Sequence, residues 1–246
     1  MQRHPPYNST MIITIDGTAG SGKSSAAKAL AREIGFYFLP TGKMYRAAAV
    51  LLLDAGLDPH AEVHDGPRIA ELLKDCTFEI SPKVVLLNGV DYATKLVSPA
   101  ATAASSLFAE VREMREELKR EQRRIATLEI DIVSEGRDQG AWVFPAAPLK
   151  FFFDAEIAIR AARRREQDPG RTLADILLDL QTRDDTDSQR TCDPLKEPEN
   201  AIHIDTGKYN EDDVQAILRK QYEACRSQPS PKPSSTAPSI GATSGH

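Results

Sequence analysis

The run G-T-A-G-S-G-K-S-S, from Gly17 to Ser25, carries the residue types that hold phosphate. Its glycines let the backbone curl so that successive N–H groups point inward at an anion. Lys23 supplies a mobile positive charge that can bridge the β- and γ-phosphates of a nucleoside triphosphate, and the Ser24 hydroxyl can ligate Mg2+. Gly17–Ser24 fits G-x-x-x-x-G-K-S without a gap, between an apolar β-branched run, Met11–Asp16, and a helical pattern that begins at Lys23. That strand–loop–helix setting favours phosphate binding over a Gly/Ser turn that only caps a helix. The loop identifies a triphosphate donor. It leaves the acceptor open, because GTPases, motor ATPases and small-molecule kinases share it. The chain has no N-K-x-D motif for reading guanine, and its 246 residues are few for a motor.

Further charged stretches bear on the acceptor. T-G-K-M-Y-R, Thr41–Arg46, falls at a strand-to-helix junction. S-E-G-R-D-Q-G, Ser134–Gly140, falls at the C-terminal end of a strand, the edge where open α/β sheets bind ligands. In D-A-E-I-A-I-R-A-A-R-R-R, Asp154–Arg165, helical spacing puts Arg160, Arg163 and Arg164 on one side. R-D-D-T-D-S-Q-R, Arg183–Arg190, alternates sign. Taken singly, these read as an N-cap, a polar loop, a solvated basic face and a solvated charge run.

Taken in order, with Ile204–Thr206 (I-D-T) after them, they resemble bacterial cytidylate kinases, members of the nucleoside monophosphate kinase group. The resemblance covers Met11 to Cys225 and rests on the phosphate loop, T-G-x-M-Y-R, G-R-D-x-G-x-x-V-F-P at Gly136–Pro145, D-A-x-x-x-x-R-A-x-R-R at Asp154–Arg164, R-D-x-x-D-x-x-R at Arg183–Arg190, and I-D-T. It implies an α/β P-loop NTPase fold: a five-stranded parallel sheet with helices on both faces, a small antiparallel β insertion and a mobile lid. It implies transfer of the γ-phosphoryl group of ATP to CMP or dCMP, with Mg2+. Gly17, Thr18, Ala19, Gly20, Ser21, Gly22, Lys23, Ser24 and Ser25 would bind ATP, with Ser24 on the metal. Thr41, Tyr45 and Arg46 would contact the acceptor nucleotide, Arg46 on its phosphate. Arg112, Arg137 and Asp138 would meet its phosphate or base, Arg183 and Asp187 its sugar, and Arg190 the phosphates. Lys23, Arg160, Arg163, Arg164 and Arg190 would serve catalysis, the helical arginines closing over the phosphates in exchange.

The sequence departs from the family pattern around the acceptor. Pro40 replaces a common acidic residue, Lys43 is an added cation, and Leu96-Val97-Ser98 stands for I-R-T. Ser105 and Ser106 sit closer to Arg112 than the pattern expects.

The chemistry suits these residues. A phosphate dianion is already a nucleophile, so no general base is required, and the histidines at 4, 60, 64, 203 and 246 lie outside the motifs. The obstacle is repulsion between two anions, which arginines and Mg2+ offset. Cytosine offers an N4 amino donor where uracil offers an O4 acceptor, so a carboxylate such as Asp138 would favour CMP over UMP. The competing readings are a kinase for UMP, AMP or dTMP, a hydroxyl-directed kinase such as a shikimate or sugar-acid kinase, and a non-catalytic nucleotide-binding protein. The arginine-rich acceptor side opposes the second, and intact Lys23, Ser24, Asp138, Arg183 and Asp187 oppose the third.

These residues need a scaffold, and the apolar pattern predicts one. Strands are expected at Met11–Asp16, Phe36–Leu39, Ile130–Glu135, Leu149–Phe153 and Ala201–Asp205, alternating with helices, as in a parallel sheet covered on both faces. Helices are expected at Lys23–Ile34, closed by Gly35, from Thr41 as N-cap, and after Ala201–Asp205 with Val214, Ile217 and Leu218 inward. Cys76–Tyr92 reads as hairpins with turns at Ser81-Pro82 and Asn88-Gly89. Ala104, Leu107, Val111, Met114 and Leu118 then predict one long amphipathic helix. The expected division is a disordered leader at 1–10, a kinase domain at 11–226 and a disordered Ser/Pro-rich tail at 227–246. Within the domain, 61–112 is the monophosphate-binding insertion and 166–190 the lid region, with Pro169-Gly170 as a hinge.

A net charge of −5 gives no reason to expect nucleic acid. The three cysteines, Cys76, Cys192 and Cys225, have neither metal spacing nor an even number for disulfides, which fits a reducing cytoplasm. No apolar run is long enough to span a bilayer, and the leader lacks a signal peptide's apolar segment. The family resemblance implies a monomer.

Overall fold

A computed structural model describes residues 10–80, 84–128 and 130–227. The expected leader (all but Thr10), the Ser81-Pro82 turn and the tail beyond Ser227 lie outside the described residues.

β1 (Ile12–Gly17), β2 (Tyr37–Pro40), β6 (Ile132–Glu135), β7 (Leu149–Asp154) and β8 (Ile202–Asp205) form one parallel sheet in the order β2-β6-β1-β7-β8. All five therefore end on one edge, with Gly17, Pro40, Glu135, Asp154 and Asp205 as their last residues. The register pairs Ile15 with Glu135 and with Phe151, and Phe153 with Ile204. Ile13, Ile15, Phe151 and Phe153 are fully buried, because helices cover both faces. α1 (Lys23–Ile34) and α8 (Glu211–Arg226) pack over one cluster through Ala27, Leu30, Ala31, Val214 and Leu218. α2 (Thr41–Asp54), α3 (Gly66–Leu73), α4 (Pro99–Phe108) and α5 (Arg112–Ala126) share the other.

The helix ends follow local chemistry. Gly35 closes α1 in the left-handed region at φ 77° and donates its N–H to the Ala31 carbonyl. Thr41 is not the N-cap expected of it. It is the first residue of α2, and its hydroxyl donates instead to the Glu135 carbonyl at 2.8 Å, tying the helix to the end of β6. In the insertion, β3 (Phe78–Ile80), β4 (Val85–Leu87) and β5 (Val90–Asp91) form a small antiparallel sheet. Asn88 and Gly89, at φ 51° and 76°, make the tight turn between the last two.

The long helix expected through Leu118 is broken. α4 ends at Phe108, Val111 is extended, and α5 restarts at Arg112. Ala104, Phe108, Val111, Met114 and Leu118 all enter one core cluster, so their spacing continues across the break. A carbonyl freed at the break, that of Ala109, accepts from Arg115 Nη1 at 3.1 Å. The segment expected as a lid, 166–190, is mostly helical. α6 (Ile157–Gln167) and α7 (Leu173–Gln189) form a helical hairpin joined by a turn that contains Pro169-Gly170. The hairpin packs on Ala19 of the phosphate loop through Ala161, Ile176 and Leu180.

Gly17 fixes the approach of β1 to β7. At φ 141°, any Cβ there would lie 1.8 Å from the backbone oxygen of Phe153. Gly17→Ala should therefore cost more than about 4 kcal/mol in urea unfolding, or leave no folded protein. A loss below about 1 kcal/mol would show that the strand contact can relax.

Candidate functional site: two anion cradles at the sheet edge

The first cradle is the loop after β1. Gly20 and Gly22 take φ 75° and 87°, conformations open to glycine, and no side chain caps the first turn of α1. The loop is held from below. Thr18 donates its hydroxyl to Asp154 Oδ1 at 2.9 Å, and Ala19 donates its N–H to Asp184 Oδ1 at 3.0 Å. Arg160 lies beneath, donating to the Ala155 carbonyl at 2.7 Å, the Ala19 carbonyl at 2.9 Å and Asp184 Oδ2 at 2.6 Å. Lys23 is buried and turned back onto its own loop, donating to the Thr18 carbonyl at 2.5 Å and to Ser21 Oγ at 3.3 Å. Burial, with the nearby Arg137 guanidinium, lowers the Lys23 ammonium to about 7. Ser24 and Ser25 are exposed in the first turn of α1.

Asp16, the residue before the loop, is fully buried and accepts N–H bonds from Gln139 at 2.8 Å and Gly140 at 2.6 Å. Burial raises its carboxyl to about 7, against the pull of those two bonds. This pairing ties the phosphate loop to the segment after β6.

That segment starts the second cradle. Arg137 donates to Asp187 Oδ2 at 2.8 Å, and Arg190 donates to Asp187 Oδ1 at 3.1 Å, so one carboxylate on α7 holds two arginines. Burial alone would raise Asp187, but Arg137 and Arg190 outweigh it and hold the carboxyl below its usual range. Arg190 Nη2 is buried with no partner. Arg183 and Arg46 make no hydrogen bond or ion pair among the described residues. Burial pushes both below the usual guanidinium range, Arg183 further through Arg137.

Asp138 faces a partner that the sequence reading missed. Arg115 of α5 is 1 % exposed and pairs through Nη2 with Asp138 Oδ2. Its guanidinium lies 5.4 Å from the centre of the Tyr45 ring. Gln139 donates to Asp138 Oδ1 at 2.6 Å and accepts from Ser134 Oγ at 2.7 Å, which fixes the carboxylate. Arg112, the residue expected here, is exposed and only approaches Glu116 at 3.8 Å. The signal for Arg115 was present: it shares a helical face with Leu118, Gln122 and Ile125, all buried. Charge-rich neighbours hid it.

The helical arginines do not act alike. Arg160 is buried beneath the loop, whereas Arg163 donates to the Thr206 hydroxyl at 3.1 Å and carbonyl at 2.6 Å. Arg164 is exposed, with Gln167 at 3.5 Å as its single hydrogen-bond partner among the described residues. Thr206, from the I-D-T run, in turn donates to the Ser21 carbonyl at 3.0 Å. Asp184, Asp154, Asp16 and Thr206 are thus structural supports of the loop, visible only once the elements are assembled.

The sequence model described as cytidylate kinase matches residues 13–224. A cytidylate kinase of Caldanaerobacter subterraneus is 36% identical over 223 residues, 89% of this chain and 96% of that protein. One from Thermotoga neapolitana is 41% identical over 212 residues, 84% and 94% of the two chains. Among solved structures, an uncharacterized protein from Eubacterium ventriosum superposes with a TM-score of 0.53 at 15% identity, over 87% of this chain and 99% of that one, a likeness of fold alone.

Removing Arg115 would leave Asp138 and Asp193 buried beside an empty space. Arg115→Met should cost about 3–5 kcal/mol in urea unfolding, and Arg112→Ala less than about 0.5 kcal/mol. Equal losses for the two variants would contradict this assignment.

Proposed function

This chain belongs to the cytidylate kinase family, and on that premise we propose that it transfers the γ-phosphoryl group of ATP to CMP and dCMP. An oxygen of the acceptor's phosphate attacks the γ-phosphorus. The bond from that phosphorus to the β,γ-bridging oxygen breaks, and ADP leaves with the electron pair. The observation that supports this most directly is the second cradle: Arg137 and Arg190 share Asp187, Arg190 Nη2 is buried with no partner, and Arg46 and Arg183 make no hydrogen bond or ion pair among the described residues. A hydroxyl acceptor would require a base and fewer buried cations.

In this reading residues Gly17–Ser25 cradle the ATP phosphates, and Lys23 leaves the Thr18 carbonyl to meet them. Arg160 and Asp184 hold the loop in shape from beneath. Arg46, Arg137 and Arg190 take the acceptor phosphate, Arg183 and Asp187 its sugar side, and Thr41 and Tyr45 the wall. Asp138, steadied by Arg115, accepts from the N4 amino group of cytosine. Arg163 and Arg164 close over the phosphates as the α6–α7 hairpin moves, the lid of this reading. Ser24 suits Mg2+: its hydroxyl is exposed, engaged by no side chain among the described residues, and one hydroxyl beside phosphate oxygens and waters is a set that magnesium accepts. When bound, the ion neutralises charge across the β- and γ-phosphates. The same reading makes 11–226 the kinase domain, 61–112 its monophosphate-binding part and the protein a cytoplasmic monomer. No helix among the described residues is long and apolar enough to cross a membrane.

ADP release from MgATP should be strong with CMP and dCMP and weak with UMP, AMP and dTMP. Asp138→Asn should narrow the CMP-to-UMP ratio of kcat/KM by about tenfold or more. No stimulation by any monophosphate would sink the proposal, and an unchanged ratio would remove the role of Asp138.

Lys23 gives a test independent of turnover. With its ammonium lowered to about 7, most of the amine is neutral at pH 8. A polyphosphate beside it favours the charged form, so ATP binding should take up a proton from solvent, approaching about one near pH 8–9. Calorimetry in buffers of different ionisation enthalpy should show this uptake in the wild type and not in Lys23→Met. Equal uptake in both would assign the proton elsewhere.

A further inference from the structure

Asp193 lies outside every motif identified above. It is buried, and it holds φ 48°, a left-handed conformation that costs free energy for a residue with a side chain. Its contacts explain why that conformation persists. Oδ2 accepts from Arg115 Nε at 3.3 Å and from Lys119 Nζ at 2.6 Å. Its backbone oxygen accepts from Arg190 Nε at 2.7 Å. One residue therefore touches Arg115, the partner of Asp138, through its side chain and Arg190 of the acceptor cradle through its backbone. The flanks are pinned as well. Leu195 donates its N–H to the Asp187 carbonyl at 2.6 Å, and Trp142 donates Nε1 to the Pro194 carbonyl at 2.9 Å.

We propose that Asp193 is a positioning residue for acceptor recognition, setting the orientation and effective charge of Arg115 toward Asp138 while spacing Arg115 from Arg190. This rests on the function proposed above. Arg115 is engaged at all three nitrogens, by Asp138 on Nη2, Asp193 on Nε and the Ala109 carbonyl on Nη1. A guanidinium held at three corners presents its remaining N–H groups in a fixed direction. Asp193 also draws charge away from Asp138. Without it, Arg115 would pair more completely with Asp138, and that carboxylate would be a poorer acceptor for an amino group on the bound base. Lys119 closes the charge balance by sharing Asp193 Oδ2, so the added carboxylate does not stand against Asp138 unpaired.

Substitutions at this position can separate charge from backbone. Asparagine tolerates the left-handed conformation and keeps the shape, and glycine adopts it without strain. Asp193→Asn and Asp193→Gly should each raise KM for the monophosphate about tenfold, the size expected for loosening one charge-assisted contact. KM for ATP should stay unchanged and kcat should fall less than about threefold. The preference for the best monophosphate over the next should narrow in Asp193→Asn, and this change should vanish in an Asp138→Asn background, because both act through Arg115. Wild-type rates across the monophosphate panel judge the proposed function by themselves. The Asp193 comparison then uses whichever monophosphate the wild type prefers. A lowered melting temperature with KM and preference unchanged would make Asp193 part of the scaffold and overturn the proposal, as would additive effects in the double variant or failure of both variants to fold.

Discussion

Like charges crowd the edge where the parallel strands end, and keeping them together is the constraint on which the arrangement depends. Arg137 and Arg190 would repel one another in a low-dielectric site, and Asp187 between them makes their proximity tolerable. Arg160 is held in the same way by Asp184, and Arg115 by Asp138 and Asp193. Each carboxylate neutralises only part of what surrounds it. Arg46 and Arg183 make no ion pair among the described residues, and Nη2 of Arg190 is buried with no partner.

The same economy governs the loop. Lys23 lies on the Thr18 carbonyl, where burial and Arg137 work against its charge. Asp16 is buried with only backbone N–H groups to satisfy it. These ionisable groups are out of balance in the same small volume, and each is tied to the segment that joins the two cradles.

Much of this was legible in the sequence, for identifiable reasons. The boundaries of α1 could be read because Gly22 and Gly35 punctuate it. The parallel sheet could be read because apolar strand runs alternate with helical patterns along the chain. The Asn88-Gly89 turn announced its own backbone. The break between α4 and α5 could not be read, because Phe108, Val111 and Met114 serve one core on both sides of it and leave the apolar period intact. Arg115 was lost among the charges of α5, where the resemblance pointed to Arg112 instead. Asp193 had no motif to mark it. The supports beneath the loop, Asp184 and Thr206, could not be found by spacing because their partners are far away in the chain: Asp184 meets Ala19, and Thr206 meets Ser21.

The strand order carries a consequence for how the chain comes into being. β1 and β2 are not neighbours; β6 lies between them, and the whole insertion with α2 to α5 is made before it. A ribosome releasing this chain from its N-terminus therefore exposes two strands that cannot pair until Ile132–Glu135 has emerged. Until then the phosphate loop has formed in sequence but has no sheet to stand on. The closing segment is S-E-G-R-D-Q-G, so the stretch that completes the sheet's centre also delivers Arg137 and Asp138. The centre of the sheet cannot be assembled without the segment that also carries Arg137 and Asp138, and nascent chains halted before β6 present open strand edges to chaperones and proteases.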